Sequence, residues 1–257
     1  MTEREPLFDP PLALASLSGE ADAAWARNGA AYAGAAFLGG IALDEPTRAA
    51  ARGMVDRERT EFLPPDPFSF VDDQLEGLSD LELQAGFNVR AASPEPVARA
   101  AERCARHDAI LEINAHCRQD EMCAAGAGES LLADVDRLCA QVEAASATGA
   151  LVSVKVRAEV PGVDLPTLSA SIEAAGADII HVDAMDSESV IADIAVRADV
   201  QIVANNGVRD AESVREYLEY GADAVSVGRP SDDPRVLSRV RKAAESYFET
   251  ARPEVER

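Results

Sequence analysis

The fold is decided by residues 151–182, which read LVSVKVRAEVPGVDLPTLSASIEAAGADIIHV. Leu151 to Arg157 and Asp178 to Val182 are short runs rich in valine and isoleucine, as strands buried on both faces are. Between them, Leu165 to Ala175 has the amphipathic pattern of a helix, and Gly176 stands where a helix C-cap turns into the next strand. The stretch therefore predicts a strand–helix–strand unit with parallel strands.

The same alternation runs over nearly all 257 residues. Eight such units are the pattern of a TIM barrel, and we predict an α/β protein with a single (β/α)8 domain over residues 1–257. Residues 63–78 are expected to form an inserted loop or short helices, and residues 235–257 a C-terminal helix and tail. The predicted strands are Leu12 to Leu17, Tyr32 to Leu38, Ala85 to Arg90, Ala109 to Ile113, Leu151 to Arg157, Asp178 to Val182, Val200 to Ala204 and Asp223 to Val227. The predicted helices include Pro94 to Arg106, Ser130 to Ala147, Leu165 to Ala175, Ser187 to Arg197 and Ala211 to Tyr220.

Acidic residues dominate the composition: 46 Asp and Glu face 24 Lys and Arg, for a formal net charge of −22. Hydrated carboxylates keep such a chain soluble in molar salt, where the screening length falls to about 3 Å. We therefore predict a halophilic protein, the alternative being an acidic protein of an ordinary cytoplasm. The charge does not favour a nucleic-acid partner, although molar salt, which screens repulsion, leaves one open. Without a long apolar run, and with Met1–Pro6 unlike a signal peptide, we expect no membrane span and a cytoplasmic location.

Lysine is almost absent, because the chain has only Lys155 and Lys242. Lys242 falls in an amphipathic C-terminal helix. Lys155 lies between Val154 and Val156 in a strand predicted to be buried, where an ammonium is costly. We therefore expect Lys155 to form a Schiff base, neutralise an anion or hydrogen-bond an electron-rich ring. The alternative is a solvated lysine at the strand edge.

Polar residues follow the last two predicted strands, at the rim where TIM barrels carry their active sites. Asn205 to Gly207 follow strand seven, and Gly228 with Arg229 follow strand eight. Small residues, backbone N–H groups and an arginine at these ends predict a phosphate site, with ordinary tight turns as the alternative.

A second group of candidates follows strands four and six. Cys117 stands beside His116 on a loop, which favours a proton donor or nucleophile over a structural thiol. His181 is either functional, because of its expected rim position, or a core histidine. No metal site is predicted, since His116, Cys117 and Cys123 match no common ligand spacing. The full set of candidates is Ser16, Asn88, Asn114, Cys117, Lys155, Arg157, His181, Asn205, Gly207, Gly228 and Arg229.

Six ordered motifs between residues 85 and 235 resemble those of the flavin-dependent tRNA-dihydrouridine synthases and their dihydroorotate-dehydrogenase-like relatives. A weaker echo, Leu14 to Gly19, is similar to the family's strand-one A-P-M-A-G. The six motifs are Ile113-Asn114-Ala115-His116-Cys117, similar to I-N-x-G-C-P; Gly126 to Leu132, similar to G-x-G-x-x-L-L; Val154-Lys155-Val156-Arg157, similar to V-K-x-R; Ile180-His181, similar to V-H; Ile202 to Val208, similar to V-I-x-N-G-x-I; and Val227-Gly228-Arg229, similar to I-G-R.

The resemblance implies an FMN-binding TIM barrel in which NADPH or NADH reduces the flavin and a hydride passes to C6 of a uracil. Cys117 inherits the acid that protonates C5, and Lys155 contacts the pyrimidine edge of the flavin and stabilises its negative charge. Asn114 would lie near flavin and substrate, and Arg157 would orient the pyrimidine. The implied cofactor contacts are Ser16, Asn88 (where the family has glutamine), Lys155, His181, Asn205, Gly207, Gly228 and Arg229.

Three departures concern the substrate and not the flavin. Gly-Cys-Pro has become His116-Cys117-Arg118, only one helix and a tail are expected beyond Pro234 in place of a separate helical tRNA-binding domain, and the surface is acidic. A dihydroorotate-dehydrogenase-like enzyme for a free pyrimidine and a non-catalytic FMN-binding barrel are therefore alternatives. A flavin-free phosphate barrel is another, because Ile180 to Asp186 also resembles the H-I-D-V-M-D of sugar-phosphate epimerases. Oligomeric state, the choice of NADH or NADPH and the modified tRNA position stay open.

Overall fold

A computed structural model describes residues 7–251 of the chain. Its strands are β1 Leu12–Leu14, β2 Ala35–Ala42, β3 Gln84–Arg90, β4 Ile110–Asn114, β5 Val152–Arg157, β6 Ile179–Asp183, β7 Gln201–Asn205 and β8 Ala224–Val227. Each strand pairs in parallel with the next, and β8 pairs with β1, so that the sheet closes into a barrel. The structure confirms the predicted (β/α)8 TIM barrel.

Helices follow the strands around the outside of the barrel. They are α1 Ala23–Gly29, α2 Glu45–Val55, α3 Pro67–Glu76, α4 Pro94–Arg106, α5 Asp120–Ala124, α6 Ser130–Ala133, α7 Val135–Ser146, α8 Leu165–Ala174, α9 Val190–Arg197, α10 Ala211–Glu219 and α11 Pro234–Ala251, with a 3-10 helix Arg229–Asp232 between β8 and α11. The connection between β2 and β3 holds two helices, α2 and α3, and α3 falls inside the stretch 63–78. The end of the predicted tail, residues 252–257, lies outside the described residues.

Aspartate side chains begin many of these helices. In each case a carboxylate oxygen of the N-cap residue accepts a hydrogen bond from a backbone N–H of the first turn, a group that has no partner within the helix. The six capping residues are Asp22, Asp44, Asp66, Asp134, Asp164 and Asp210.

Several predicted boundaries were wrong: β1 ends at Leu14 and not at Leu17, and α9 begins at Val190 and not at Ser187. Two other boundaries differ for clear local reasons. The second strand begins at Ala35 and not at Tyr32, because the chain first bends at Gly34, where a Cβ would lie 2.3 Å from the carbonyl oxygen of Pro10. The predicted helix from Ser130 to Ala147 divides into α6 and α7, because the Asp134 side chain accepts from the backbone N–H of Arg137 and starts a new helix.

The barrel interior is layered, because side chains alternate along each strand and every second one points inward. Ile110, Ile179, Val203 and Ala224 belong to an apolar floor that also contains Phe37. Two residues further along β4, β6 and β8, the inward side chains are polar and fully buried: Glu112, His181 and Ser226. A further step of two along β4 and β6 reaches the barrel mouth at Asn114 and Asp183, and β7 ends at Asn205, two residues after Val203.

A larger apolar core lies between the barrel and the surrounding helices and contains most of the buried aliphatic residues. It anchors the strands, so the polar side chains inside the barrel stand on a rigid frame. Within residues 7–251 no helix is both long enough and apolar enough to cross a membrane.

Candidate active site

Glu112 is the centre of the polar layer beneath the mouth. Its side chain has no exposed surface, and its Oε1 accepts from Asn88 Nδ2 at 2.7 Å. Its Oε2 accepts from Ser153 Oγ at 3.2 Å and meets His181 Nδ1 at 2.7 Å. Burial alone would raise the pKa of Glu112, but His181, Lys155 and the Asn88 amide together lower it. Glu112 is therefore a buried carboxylate whose charge the surrounding groups stabilise.

The hydrogen bonds continue from Glu112 to the opposite wall. Since an ionised carboxylate only accepts, Nδ1 of His181 carries the proton, and Nε2 of the neutral ring accepts from Ser226 Oγ at 2.7 Å. Ser226 Oγ in turn accepts from Asn205 Nδ2 at 2.6 Å. Burial, helped by Lys155, lowers the pKa of His181 against the pull of Glu112, which agrees with a neutral ring.

Lys155 lies on β5 two residues before the strand ends, beside Asn114 of β4, and is only 4% exposed. Within residues 7–251 no side chain or carbonyl group hydrogen-bonds its ammonium, although Glu112 and Asp183 are near enough to raise its pKa. Burial outweighs both carboxylates, so the pKa of Lys155 is lowered. A buried cation with donors to spare is suited to an anionic or electron-rich ligand.

Asn114 shapes the loop that leaves β4. Its Nδ2 donates to Asn88 Oδ1 at 2.8 Å, and its Oδ1 accepts from the backbone N–H groups of His116 at 3.2 Å and Cys117 at 2.9 Å. The Cys117 side chain is half-buried and packs against an apolar cluster of α2, α5 and the loop after α5. That cluster consists of Ala50, Met54, Met122 and Ala127.

His116 points from the same loop to the end of β6. Its Nε2 lies 2.5 Å from Oδ2 of Asp183, while Oδ1 of Asp183 accepts from Asn206 Nδ2 at 2.8 Å and from the Met185 backbone N–H at 3.3 Å. Burial would raise the pKa of Asp183, but the hydrogen bond and charge of His116, with the other two donors, lower it to about 2. The mouth therefore contains an ionised carboxylate that orients an imidazole.

Two further ion pairs border the mouth. Arg90, at the end of β3, pairs with Glu61 at 2.7 Å, and both side chains are only 1% exposed. Arg90 also donates to Ser18 on the loop after β1. Arg157, at the end of β5, donates to Glu129 at 2.6 Å with 10% of its side chain exposed. The mouth thus has cations on several sides, most of them held by carboxylates.

The ends of β7 and β8 are open. A Cβ at Gly207 would meet no atom within 4 Å, and at Gly228 only a Leu17 methyl group at 4.0 Å. Arg229 is exposed, and no ion pair holds it within residues 7–251. The backbone of both loops is therefore accessible to a ligand, as a phosphate site requires.

The predicted residues divide into two groups. Asn114, Lys155, Arg157 and Asn205 lie around the mouth, with Gly207, Gly228 and Arg229 on the open loops and Ser16 half-buried after β1. The expected rim position of His181 was wrong: it is fully buried one step below, because two residues of alternation separate it from the strand end at Asp183. Asn88 is likewise fully buried, and its amide bridges Glu112 and Asn114. Contact of Asn88, Asn205 or His181 with a cofactor stays a prediction.

Glu112, Asp183, Arg90 and Glu61 were not among the predicted site residues. For Glu112 a signal exists: it stands two residues before Asn114 in an otherwise apolar strand, as Ser153 stands before Lys155. The same spacing joins His181 to Asp183 and Asn88 to Arg90. Charged or polar residues two apart in a buried strand therefore mark the barrel interior. Glu61 carries no such signal because it lies on the connection between α2 and α3.

The chain is similar in sequence to one known protein and in fold to solved structures. An uncharacterized protein of Methanocaldococcus jannaschii is 26% identical over 235 residues, which cover 86% of this chain and 89% of that protein. A tryptophan synthase structure from Pyrococcus furiosus has a TM-score of 0.57 at 14% identity and covers 94% of this chain and 99% of its own. A thiamine phosphate pyrophosphorylase from the same organism has a TM-score of 0.54 at 12% identity, covering 91% and 95%. At these identities the two structures share the fold alone.

The family comparison goes further than the fold. A family model described as dihydrouridine synthase (Dus) matches residues 74–257, which include every strand from β3 to β8 and the loop that carries His116 and Cys117. The match spans well over half of the sequence, and the chain therefore belongs to the dihydrouridine synthase family, a family of oxidoreductases.

Proposed function

We propose that this protein is an FMN-dependent oxidoreductase that reduces the C5–C6 double bond of uridine in tRNA, with NADPH or NADH as the reductant. Family membership supports the reaction class. The observation that carries the proposal is Lys155, a buried ammonium without a hydrogen-bond partner in residues 7–251, at the mouth of a parallel barrel. The acidic composition of the chain, with a net charge of −22, supports molar salt as its working condition, and we propose the cytoplasm as its location.

The residues present fit FMN at two points. Lys155 has donors left for the electron-rich pyrimidine edge of the ring. The open backbone at Gly207 and Gly228, with the free guanidinium of Arg229, suits a phosphate. When bound, FMN would supply the hydride for C6 of the uracil.

The chain's own groups would then do three things. Lys155 would neutralise negative charge on the ring system beside it. Arg157, fixed by Glu129, would orient the pyrimidine through its remaining donors. An acid on the loop after β4, which carries His116 and Cys117, would supply the proton for C5.

The first test is the visible spectrum of the purified protein in molar potassium chloride. We expect a yellow protein that releases FMN on denaturation; a colourless preparation that takes up no added FMN refutes the proposal. Lys155→Met should weaken FMN binding at least tenfold, equivalent to about 1.4 kcal/mol or more. The control is Lys242→Met, which removes the other lysine, on exposed α11, and should bind FMN like the wild type.

The second test concerns the substrate. The loaded wild-type protein is given NADPH or NADH and tRNA from a strain that lacks the gene, and dihydrouridine is measured by mass spectrometry. Dihydrouridine in the tRNA supports the proposal. Turnover of free dihydropyrimidines alone would favour the dihydroorotate-dehydrogenase-like alternative, and FMN without turnover would favour a non-catalytic barrel.

A further inference from the structure

The loop after β4 presents two candidate acids, and their side chains differ in what they contact. Cys117 packs against the apolar cluster of Ala50, Met54, Met122 and Ala127, and its thiol is near that of Cys123. His116 instead contacts Asp183 at the barrel mouth, within the electrostatic influence of Lys155 and Arg157. We propose that His116, oriented by Asp183, is the group that delivers the proton to C5 of the pyrimidine; this inference rests on the proposed function.

Asp183 is built to hold the imidazole. Two of the three residues that donate hydrogen bonds to the Asp183 carboxylate are Met185 and Asn206. Their backbone φ values are 53° and 88°, in the left-handed region that residues other than glycine rarely adopt. Such a conformation costs about 1–2 kcal/mol per residue, so a compensating interaction is required. For both residues that interaction includes a hydrogen bond to Oδ1 of Asp183. The Tyr217 hydroxyl also donates to the Asn206 carbonyl oxygen at 2.9 Å.

The ring nitrogens of His116 have different environments. Nε2 is protonated and donates a hydrogen bond to the ionised Asp183, whereas Nδ1 has no hydrogen-bond partner within residues 7–251. The side chain is 32% exposed, which leaves Nδ1 reachable by substrate and by water. A carboxylate that fixes one nitrogen while the other faces the reacting group is the usual arrangement of a catalytic histidine.

The proton transfer balances without another reactant. After hydride addition at C6, the pyrimidine has a carbanion at C5. The protonated ring gives up the hydrogen on Nδ1, the C5–H bond forms, and the electron pair of the N–H bond stays on the now neutral imidazole. Water then restores the proton, and Asp183 stabilises the charged ring.

Four charged or titratable groups face His116: Asp183 of β6, Lys155 and Arg157 of β5, and His181 of β6. Burial, helped by Lys155 and Arg157, lowers the pKa of His116, and the Asp183 carboxylate opposes this. A low pKa makes the protonated ring a strong acid but restricts it to low pH. Since the acid must be protonated, the rate of uracil reduction should fall as pH rises through a value below about 6.5.

The experiment compares His116→Gln, Cys117→Ser and the control His107→Gln in the FMN-loaded protein. Single-turnover oxidation of the reduced protein by tRNA is followed from pH 5 to pH 9. We expect His116→Gln to slow the step by about 100-fold or more, since general acids contribute 10²–10⁴-fold. Cys117→Ser should slow the step far less than His116→Gln does, and the control His107→Gln, whose ring contacts Asp72, should react like the wild type.

A second readout does not depend on activity. In protein with isotope-labelled histidine and no FMN, the His116 imidazole is titrated by NMR, with its signals assigned by their loss in His116→Gln. In Asp183→Asn its pKa should fall further, because the opposing carboxylate is gone. A pH dependence of the wild-type rate that disappears in Cys117→Ser, with His116→Gln still active, would overturn the inference. Failure of the wild type to bind FMN or to reduce uridine would instead refute the proposed function. The two results are distinguishable, because the inference about His116 can be overturned only in a wild-type protein that is active.

Discussion

Replacement of Glu112 by glutamine tests whether the buried polar layer holds Lys155 in place. Glutamine keeps one accepting oxygen but presents an amide nitrogen on the other side. Glu112 accepts on both sides, from Asn88 on one and from Ser153 and His181 on the other. In Glu112→Gln at least one of these buried donors therefore faces another donor, a loss of about 1–3 kcal/mol.

Removal of the negative charge of Glu112 lowers the free energy of unfolding by a larger amount. Lys155 is 4% exposed, and Glu112 is the first of the two carboxylates that raise its pKa. To leave a buried charge without its partner costs about 3–5 kcal/mol. Because the two losses overlap in the same groups, we expect Glu112→Gln to lower the free energy of unfolding by about 3–5 kcal/mol in total.

The assay is urea unfolding at neutral pH in molar potassium chloride, without FMN. Ser153→Ala is the matched control: it removes only the 3.2 Å hydrogen bond to Glu112 and should cost about 1 kcal/mol. The double variant Glu112→Gln with Lys155→Met removes both charges and should recover at least about 2 kcal/mol. If Glu112→Gln unfolds within about 1 kcal/mol of the wild type, or the double variant is no more stable than the single, Glu112 is not the counter-charge of Lys155.

Two further predictions concern the other carboxylates of the mouth. The pKa of Asp183 is lowered from 3.8 to about 2, so its ionisation contributes stability that is complete above 3.8 and is lost as the pH falls toward 2; this contribution is about 2 kcal/mol. In urea unfolding between pH 5 and pH 3, Asp183→Asn should therefore lose less stability than the wild type, and parallel curves would contradict the lowered pKa. The buried pair of Arg90 and Glu61 should behave differently in thermal unfolding. Either leucine variant alone should cost about 3–5 kcal/mol, whereas the double leucine variant should lie within about 1 kcal/mol of the wild type; additive losses would show that the charges do not interact.

The strands could be predicted because burial on both faces leaves a plain signal in the sequence. Val152 to Arg157 is such a strand, and its one lysine stood out because an ammonium is costly there. The strand spacing then placed Asn114, Lys155 and Arg157 at the same end of the barrel, where the structure has them.

The contacts at the mouth could not be predicted in the same way. His116 and Asp183 are 67 positions apart, and their meeting depends on the turn that Asn114 imposes on the loop after β4. The next residue along the loop, Cys117, packs instead against the apolar cluster of α2, α5 and the loop after α5. His181 was misjudged because a motif of two letters does not fix the register of a strand, and a shift of two residues moves a side chain from the rim into the layer below.

Six of the acidic side chains are aspartates that cap helices, so not every carboxylate of this chain can be removed without a loss of stability. A less acidic version of the protein would have some of its carboxylates neutralised. Asp44 is a poor choice, because the same side chain also accepts from the backbone N–H of Ala92 at 2.8 Å and so connects α2 to the loop after β3. Exposed glutamates that lie far from a helix start and make no ion pair are the better candidates for replacement by glutamine. The capping positions are best replaced by asparagine, serine or threonine, which keep an oxygen for the first turn.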